Sequence, residues 1–171
     1  GGYRGVTEDQ IAFYCKKRDE WEKKEGRLLP ALVFQHIPVP EVYELMEEVP
    51  KTVKGALRGA AEFADKYFVL GNKTEPGGFM HENAAIPAKN SGEFDALCEK
   101  GDVVGLFFGH DHINSFCGTL RGVRMGYTQS CGFNVYGPGV QRGVRVFTFH
   151  EENIRGYETM TLTYRDLIGN E

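Results

Sequence analysis

Apolar positions in the first 25 residues recur near the helical period. Ile11, Tyr14, Cys15 and Trp21 follow Thr7 and Gln10, which stand at capping-box spacing. The pattern predicts a helix from about residue 8 to 24, ended by Gly26, with its Lys/Arg/Glu face in solvent. Next, Leu28 to His36 is an unbroken apolar run closing on polar residues, which predicts a strand covered on both faces. The segment 37–40 alternates with two prolines and must be extended, and a short helix is expected over 41–48 with Pro40 in its first turn. From about 50 to 90 the pattern weakens. Residues 54–67 are Ala-rich, but Gly55, Gly59 and the polar stretch 71–78 argue for loop, so an insertion or lid is expected here.

A short helix is expected from Ser91 or Gly92 to Glu99, ended by Gly101. The run 102–108 reads as a second buried strand leading directly into Gly109-His110-Asp111-His112. Beyond it the hydrophobic period switches to two. Strands are expected over 116–120, 123–128, 144–149 and 157–164, with Arg121-Gly122 suited to a hairpin turn. The sum is helix–strand–helix–strand followed by a β-rich last third, an α/β chain. Its 171 residues suit one domain or part of a larger one.

Composition narrows the function classes. Twenty Lys plus Arg against 24 Asp plus Glu leave a net charge of −4, so neither nucleic acid nor an anionic membrane is an expected partner. No apolar run approaches the ~18 residues of a membrane span. Cys15, Cys98, Cys117 and Cys131 lie far apart without a C-x-x-C pair, which fits buried free thiols. The sequence opens on Gly1-Gly2-Tyr3, with no Met and no charged-then-apolar leader, so either a leader or tag is expected to have been removed or the chain starts inside a longer protein.

The candidate chemistry is imidazole. His110 and His112 follow one buried strand at i and i+2, and His36 ends the other. If those strands are parallel neighbours, all three rings gather at the carboxyl edge of one sheet, where open α/β sheets hold ligands. Neutral imidazole suits Zn, Fe and Mn ions. His81, in the loop-like segment, and His150, at the end of an edge strand, are expected to be structural or exposed.

Phe34-Gln35-His36-Ile37-Pro38-Val39-Pro40-Glu41 and Gly105 to Asn114, together with Tyr136-Gly137 and 142–146, resemble the calcineurin-like metallophosphoesterases. The similar branch is that of purple acid phosphatase-related phosphatases, over about residues 29–164. The resemblance implies the C-terminal part of a four-layer α/β/β/α sandwich and a dinuclear centre of Fe, Zn or Mn ions. His36 and His110 would bind one ion and His112 the other. The implied activity is phosphate ester hydrolysis by two-metal activation of water.

The family's earlier motifs, Asp-x-His, the Gly-Asp that bridges the ions, and Gly-Asn-His-Glu, are absent. Gly101-Asp102 does not replace the bridge, because a seven-residue strand of roughly 23 Å separates Asp102 from His110. Asp111 alternates away from its neighbours and is expected to be a turn or supporting residue. Asn114 and Arg142 are considered as substrate contacts against equally weighted turn and surface roles. The resulting expectation is the C-terminal half of such an enzyme, inactive or weakly active alone. It would self-associate through a face exposed by truncation. The alternative is a module that binds a single ion or only another protein.

Overall fold

In the computed structural model, which describes residues 2–169, the first helix forms where its capping box requires. Thr7 accepts from the Gln10 amide, Gln10 answers the Thr7 amide, and α1 (Glu8–Glu25) ends at Gly26 with φ 68°. Strand β1 (Ala31–Gln35) is shorter than its apolar run. Residues Pro40–Leu45 form 3-10 turns rather than the expected α-helix, and the chain then extends as β2 (Met46–Glu48). The segment expected as loop carries β3 (Leu57–Arg58), β4 (Tyr67–Leu70) and β5 (Phe79–Met80). Helix α2 (Glu93–Cys98) precedes β6 (Val103–Phe108). Then follow β7 (Asn114–Ser115), β8 (Cys117–Leu120), β9 (Val123–Tyr127), β10 (Gly143–Thr148), β11 (Glu158–Thr163) and α3 (Tyr164–Ile168).

The central sheet has the order β1-β6-β9-β8. β1 and β9 flank β6 in parallel, and β8 closes antiparallel on β9. Three antiparallel groups surround it: β2-β4-β3, β5-β7 and the hairpin β10-β11. The chain is thus a mixed α/β structure with several sheets.

Alternation along β1 and β6 splits the core between the two faces of this sheet. Ala31, Val33, Leu106 and Phe108 join α1's Tyr14, α2's Phe94 and Leu97, and the 3-10 residues Val42, Tyr43 and Leu45 in the main cluster. The weak segment contributes to it as well, through Phe68, Ala84 and Ile86. On the other face Leu32, Val104 and Phe107 pack with Cys117, Tyr157 and Phe147 of the hairpin. β1 is not covered on both faces as expected: it is an edge strand, and Phe34 remains 62% exposed. Apolarity along it serves two half-buried rows, Ala31 and Val33 on one face and Leu32 on the other, plus a Phe34 ring lying 5.9 Å from Phe107 and 5.3 Å from Phe147. All four cysteines are free as expected, but only Cys117 is buried; Cys15 and Cys98 are half-buried and Cys131 is exposed. Among the described residues no helix is long and apolar enough to cross a membrane.

Candidate metal centre

The parallel pairing of β1 with β6 sets the site. Gln35 stands level with Phe108, so the next residues of both strands leave the sheet side by side. The Gly109 amide donates to the Gln35 carbonyl at 3.3 Å, and the Gln35 side chain bonds the Ile37 carbonyl at 2.8 Å. A Cβ at Gly109 would make only an ordinary 3.6 Å contact with Nδ1 of His36, so space alone does not demand glycine here. His110 then takes φ 66°, a left-handed backbone uncommon outside glycine and found at constrained sites.

These constraints bring His36 and His110 together, with His110 Nδ1 3.1 Å from His36 Nε2. That is the spacing of two imidazole nitrogens on one ion, each at about 2.0–2.1 Å. It also serves an imidazole–imidazole hydrogen bond, in which one ring donates and the other accepts. The Tyr3 ring meets His110 edge-on at 4.3 Å. Burial, and next the neighbouring His36, hold His110 below the ordinary imidazole value; Glu82 pulls the other way and His112 adds to the lowering. A neutral His110 at neutral pH keeps a lone pair for a cation.

His112 is oriented differently. Its Nδ1 lies 3.0 Å from the Tyr136 carbonyl and its ring stacks on the Tyr136 ring at 4.3 Å. Nδ1–H donating to that carbonyl leaves the Nε2 lone pair open, the arrangement by which backbone carbonyls commonly fix metal-binding histidines. The geometry therefore pairs His36 with His110 and sets His112 apart on its own support.

Several residues support this trio, and one of them, Glu82, was not legible as a site residue. Glu82 accepts from the Ile113 amide at 2.8 Å and from the Tyr136 hydroxyl at 2.9 Å, which ties the 113 and 136 loops together. Asn114, fully buried, accepts from the His81 and Glu82 amides at 3.0 and 3.1 Å and donates to the Glu82 carbonyl. It clamps Glu82 in place rather than facing a substrate. Arg142 is likewise buried and donates to the carbonyls of Gly132 and Val135 and to the Ser130 hydroxyl, so it pins the loop that carries Tyr136. The sequence marks Asn114 and Arg142 as candidate contacts and Tyr136 through the Tyr136-Gly137 pattern, whereas Glu82 leaves no trace in it.

Asp111 points inward, as alternation predicted. It accepts from the Ala85 amide at 3.2 Å, and burial pushes its carboxyl up to about 6. Asp102 also lies where expected, at the far end of β6, buried and accepting from the Tyr14 hydroxyl. His81 stacks on Phe79 at 5.0 Å and His150 is exposed.

As a home for metal ions the site is partial. Its nitrogens fit, two by spacing and one by orientation. Yet among the described residues no three or more His, Cys, Asp and Glu side chains are grouped so as to hold an ion. Both carboxylate oxygens of Glu82 are already engaged, and Asp111 is turned away.

Three proteins of Arabidopsis thaliana match this chain. "Probable inactive purple acid phosphatase 14" is 36% identical over 128 residues, covering 74% of the chain and 25% of its own length. "Probable inactive purple acid phosphatase 29" is 32% identical over 124 residues, 72% and 25% respectively. "Probable inactive purple acid phosphatase 28" is 34% identical over 118 residues, 68% and 23%. The chain thus spans about a quarter of the length of the curated relatives it matches. No family model matches it, and no solved structure does.

Proposed function

Because the chain belongs to the purple acid phosphatase-related metallophosphoesterases, we propose that it supplies the histidine part of a metal-dependent phosphoester hydrolase site. His36 and His110 would hold one ion, and His112, through Nε2, a second. Bound there, Fe, Zn or Mn ions would polarise a phosphoryl oxygen and generate hydroxide from water near neutral pH. What the chain's own residues contribute is placement. Glu82, Asn114 and Arg142 fix the loops, Tyr136 orients His112, and the left-handed turn at 110 presents that ring to His36. The observation that carries the reading is the 3.1 Å approach of His110 Nδ1 to His36 Nε2.

The donor set also supports an incomplete site. Three neutral imidazoles bring no negative charge to offset two cations, so the carboxylates of the family pattern would have to come from sequence outside these 171 residues. The mixed sheet and its hairpin would then be part of the family's four-layer sandwich, and residues 1–171 part of one domain. A second reading, a metal-binding module without catalysis, draws on the relatives' names, all of which contain the word inactive.

Metal content and turnover test this. The chain is equilibrated with Zn²⁺ or Mn²⁺, freed of excess metal, and analysed by mass spectrometry. Uptake should fall to background in His36→Ala and in His110→Asn. Asparagine tolerates the left-handed backbone, so the second variant keeps the fold. Hydrolysis of p-nitrophenyl phosphate should stay near background throughout. Uptake unchanged in both variants sinks the histidine site, and robust metal-dependent turnover sinks the claim that it is incomplete.

A further inference from the structure

Between α1, β1 and α2 lies a cavity of about 200 Å³ that none of the three histidines lines. Val6, Ile11, Val33 and Leu97 give it an apolar wall. Glu93, the first residue of α2, stands in that wall and is only 8% exposed. The other polar side chains of the lining are held by the chain itself. The Gln10 side-chain oxygen closes the capping box of α1, and the Tyr14 hydroxyl donates to Asp102. The Gln35 side chain donates to the Ile37 carbonyl at 2.8 Å and, at a long 3.4 Å, to Oε2 of Glu93.

Oε1 of Glu93 differs from all of these. Among the described residues no group donates to it, yet it is not sealed from solvent. Nor does any lysine or arginine among them pair with this carboxyl. Burial raises it to about 7, the Gln35 bond opposes the rise, and Glu41 of the 40–45 turns adds a second negative charge nearby. On the α1 side the cation beside the Tyr14 ring, Arg18, is already held by Asp19 and Glu99. A carboxylate in an apolar wall is costly until a cation meets it. A ligand cation that reaches Oε1 removes that cost, whereas a neutral donor leaves the charge unanswered.

We infer that this cavity binds a primary ammonium on a short alkyl chain, with Glu93 as its anionic partner and Val6, Ile11, Val33 and Leu97 around the chain. The compact ammonium head brings three donors and a full charge to a single oxygen, and its alkyl stem suits the apolar wall. A free alkylamine and a lysine side chain carry this same group. The inference uses none of the three histidines and does not depend on reading them as a metal centre.

The test is an NMR titration of the ¹³C-labelled 171-residue chain at pH 8 with n-butylammonium chloride, and separately with n-butanol, which has the same chain and no charge. Saturable shifts are expected at the methyls of Val6, Ile11, Val33 and Leu97 and at the Glu93 carboxyl carbon. The ammonium should bind about tenfold more tightly than the alcohol, the yield of one hydrogen bond to a charged group. At pH 5, where Glu93 keeps its proton, that advantage should vanish, and Glu93→Gln should bind both probes equally at either pH. A third probe, Nα-acetyl-lysine N-methylamide, separates the sources: binding tighter than n-butylammonium assigns the group to a lysine side chain, weaker binding to a free amine. The comparison of probes needs only the unmodified chain, so it decides the matter even if the variant fails to fold. No saturable shift at the cavity methyls, equal affinity for ammonium and alcohol at pH 8, or an ammonium preference kept in Glu93→Gln would each overturn the inference.

Discussion

Glu93 occupies the first turn of α2 and is almost fully buried. Burial raises its carboxyl from an ordinary 4.5 to about 7, opposed by a hydrogen bond from Gln35 and reinforced by Glu41. The folded chain thus keeps a proton that the unfolded chain has already released between pH 4.5 and 7. Stability from this group is complete below pH 4.5, declines as pH rises through that window, and stays reduced above 7. The full difference is roughly 3 kcal/mol from the size of the shift at ~1.4 kcal/mol per pH unit, an upper bound because water reaches a charged group. Urea unfolding at pH 5 and pH 8 should therefore show Glu93→Gln close to the native chain at the lower pH. At the higher pH it should be more stable by about 1–3 kcal/mol. Equal stability of the two proteins at pH 8 would show that Glu93 ionises at no cost.

At the scale of elements, the β8–β9 turn isolates a backbone effect. Arg121 and Gly122 have φ 51° and 82°, the two left-handed residues of a tight hairpin turn, as the Arg-Gly pair predicted. A Cβ on Gly122 would meet nothing within 4 Å, so a side chain there is limited by φ alone. Gly122→Ala should cost about 1–2 kcal/mol in thermal or urea unfolding without altering the fold; no measurable loss would mean that the turn relaxes to another type. Local chemistry of this kind explains which elements were legible. The capping box wrote α1 into the sequence, the Gly-His-x-His exit from β6 wrote the candidate site, and the parallel neighbour leading to His36 brought its ring beside His110. The rest depended on tertiary contacts. β2, β3 and β4 are strands of two to four residues, too short to show a period. The glycines there do two jobs: Gly55 and Gly77, at φ 83° and 86°, mark turns as expected, whereas a Cβ on Gly71 would approach the Leu45 carbonyl to 2.7 Å, so that glycine serves close packing. Edge position, too, is invisible in an apolar run, which is why β1 read as covered on both faces. Glu82 was hidden for the same reason. Nothing in the 50–90 segment announces that Asn114, 32 residues later, will clamp it against the histidine loops.

Among the described residues of the whole molecule, the β10–β11 hairpin leaves an apolar face without cover. In the β10–β11 register Val144 lies opposite Leu162 and Val146 opposite Met160, so the four side chains share the face that turns away from Phe107 and Tyr157. Val144, Val146 and Met160 are 48, 38 and 59% exposed. Contiguous apolar surface of this sort is uncommon on proteins that stay monomeric, and a net charge of −4 on 171 residues gives only modest repulsion between copies. A second copy of the chain is the expected cover. Sedimentation velocity over rising concentration should then show a growing dimer fraction, and Val146→Lys should return the chain to monomer by setting a charge in the centre of the face. Val146 projects from the surface, so the substitution removes little core packing, and unfolding curves of the variant should stay within about 0.5 kcal/mol of the native chain. A chain that remains monomeric at every concentration would show that the face tolerates water. A dimer that persists in Val146→Lys would place the contact elsewhere, with edge strand β1 and its exposed Phe34 the next surface to alter.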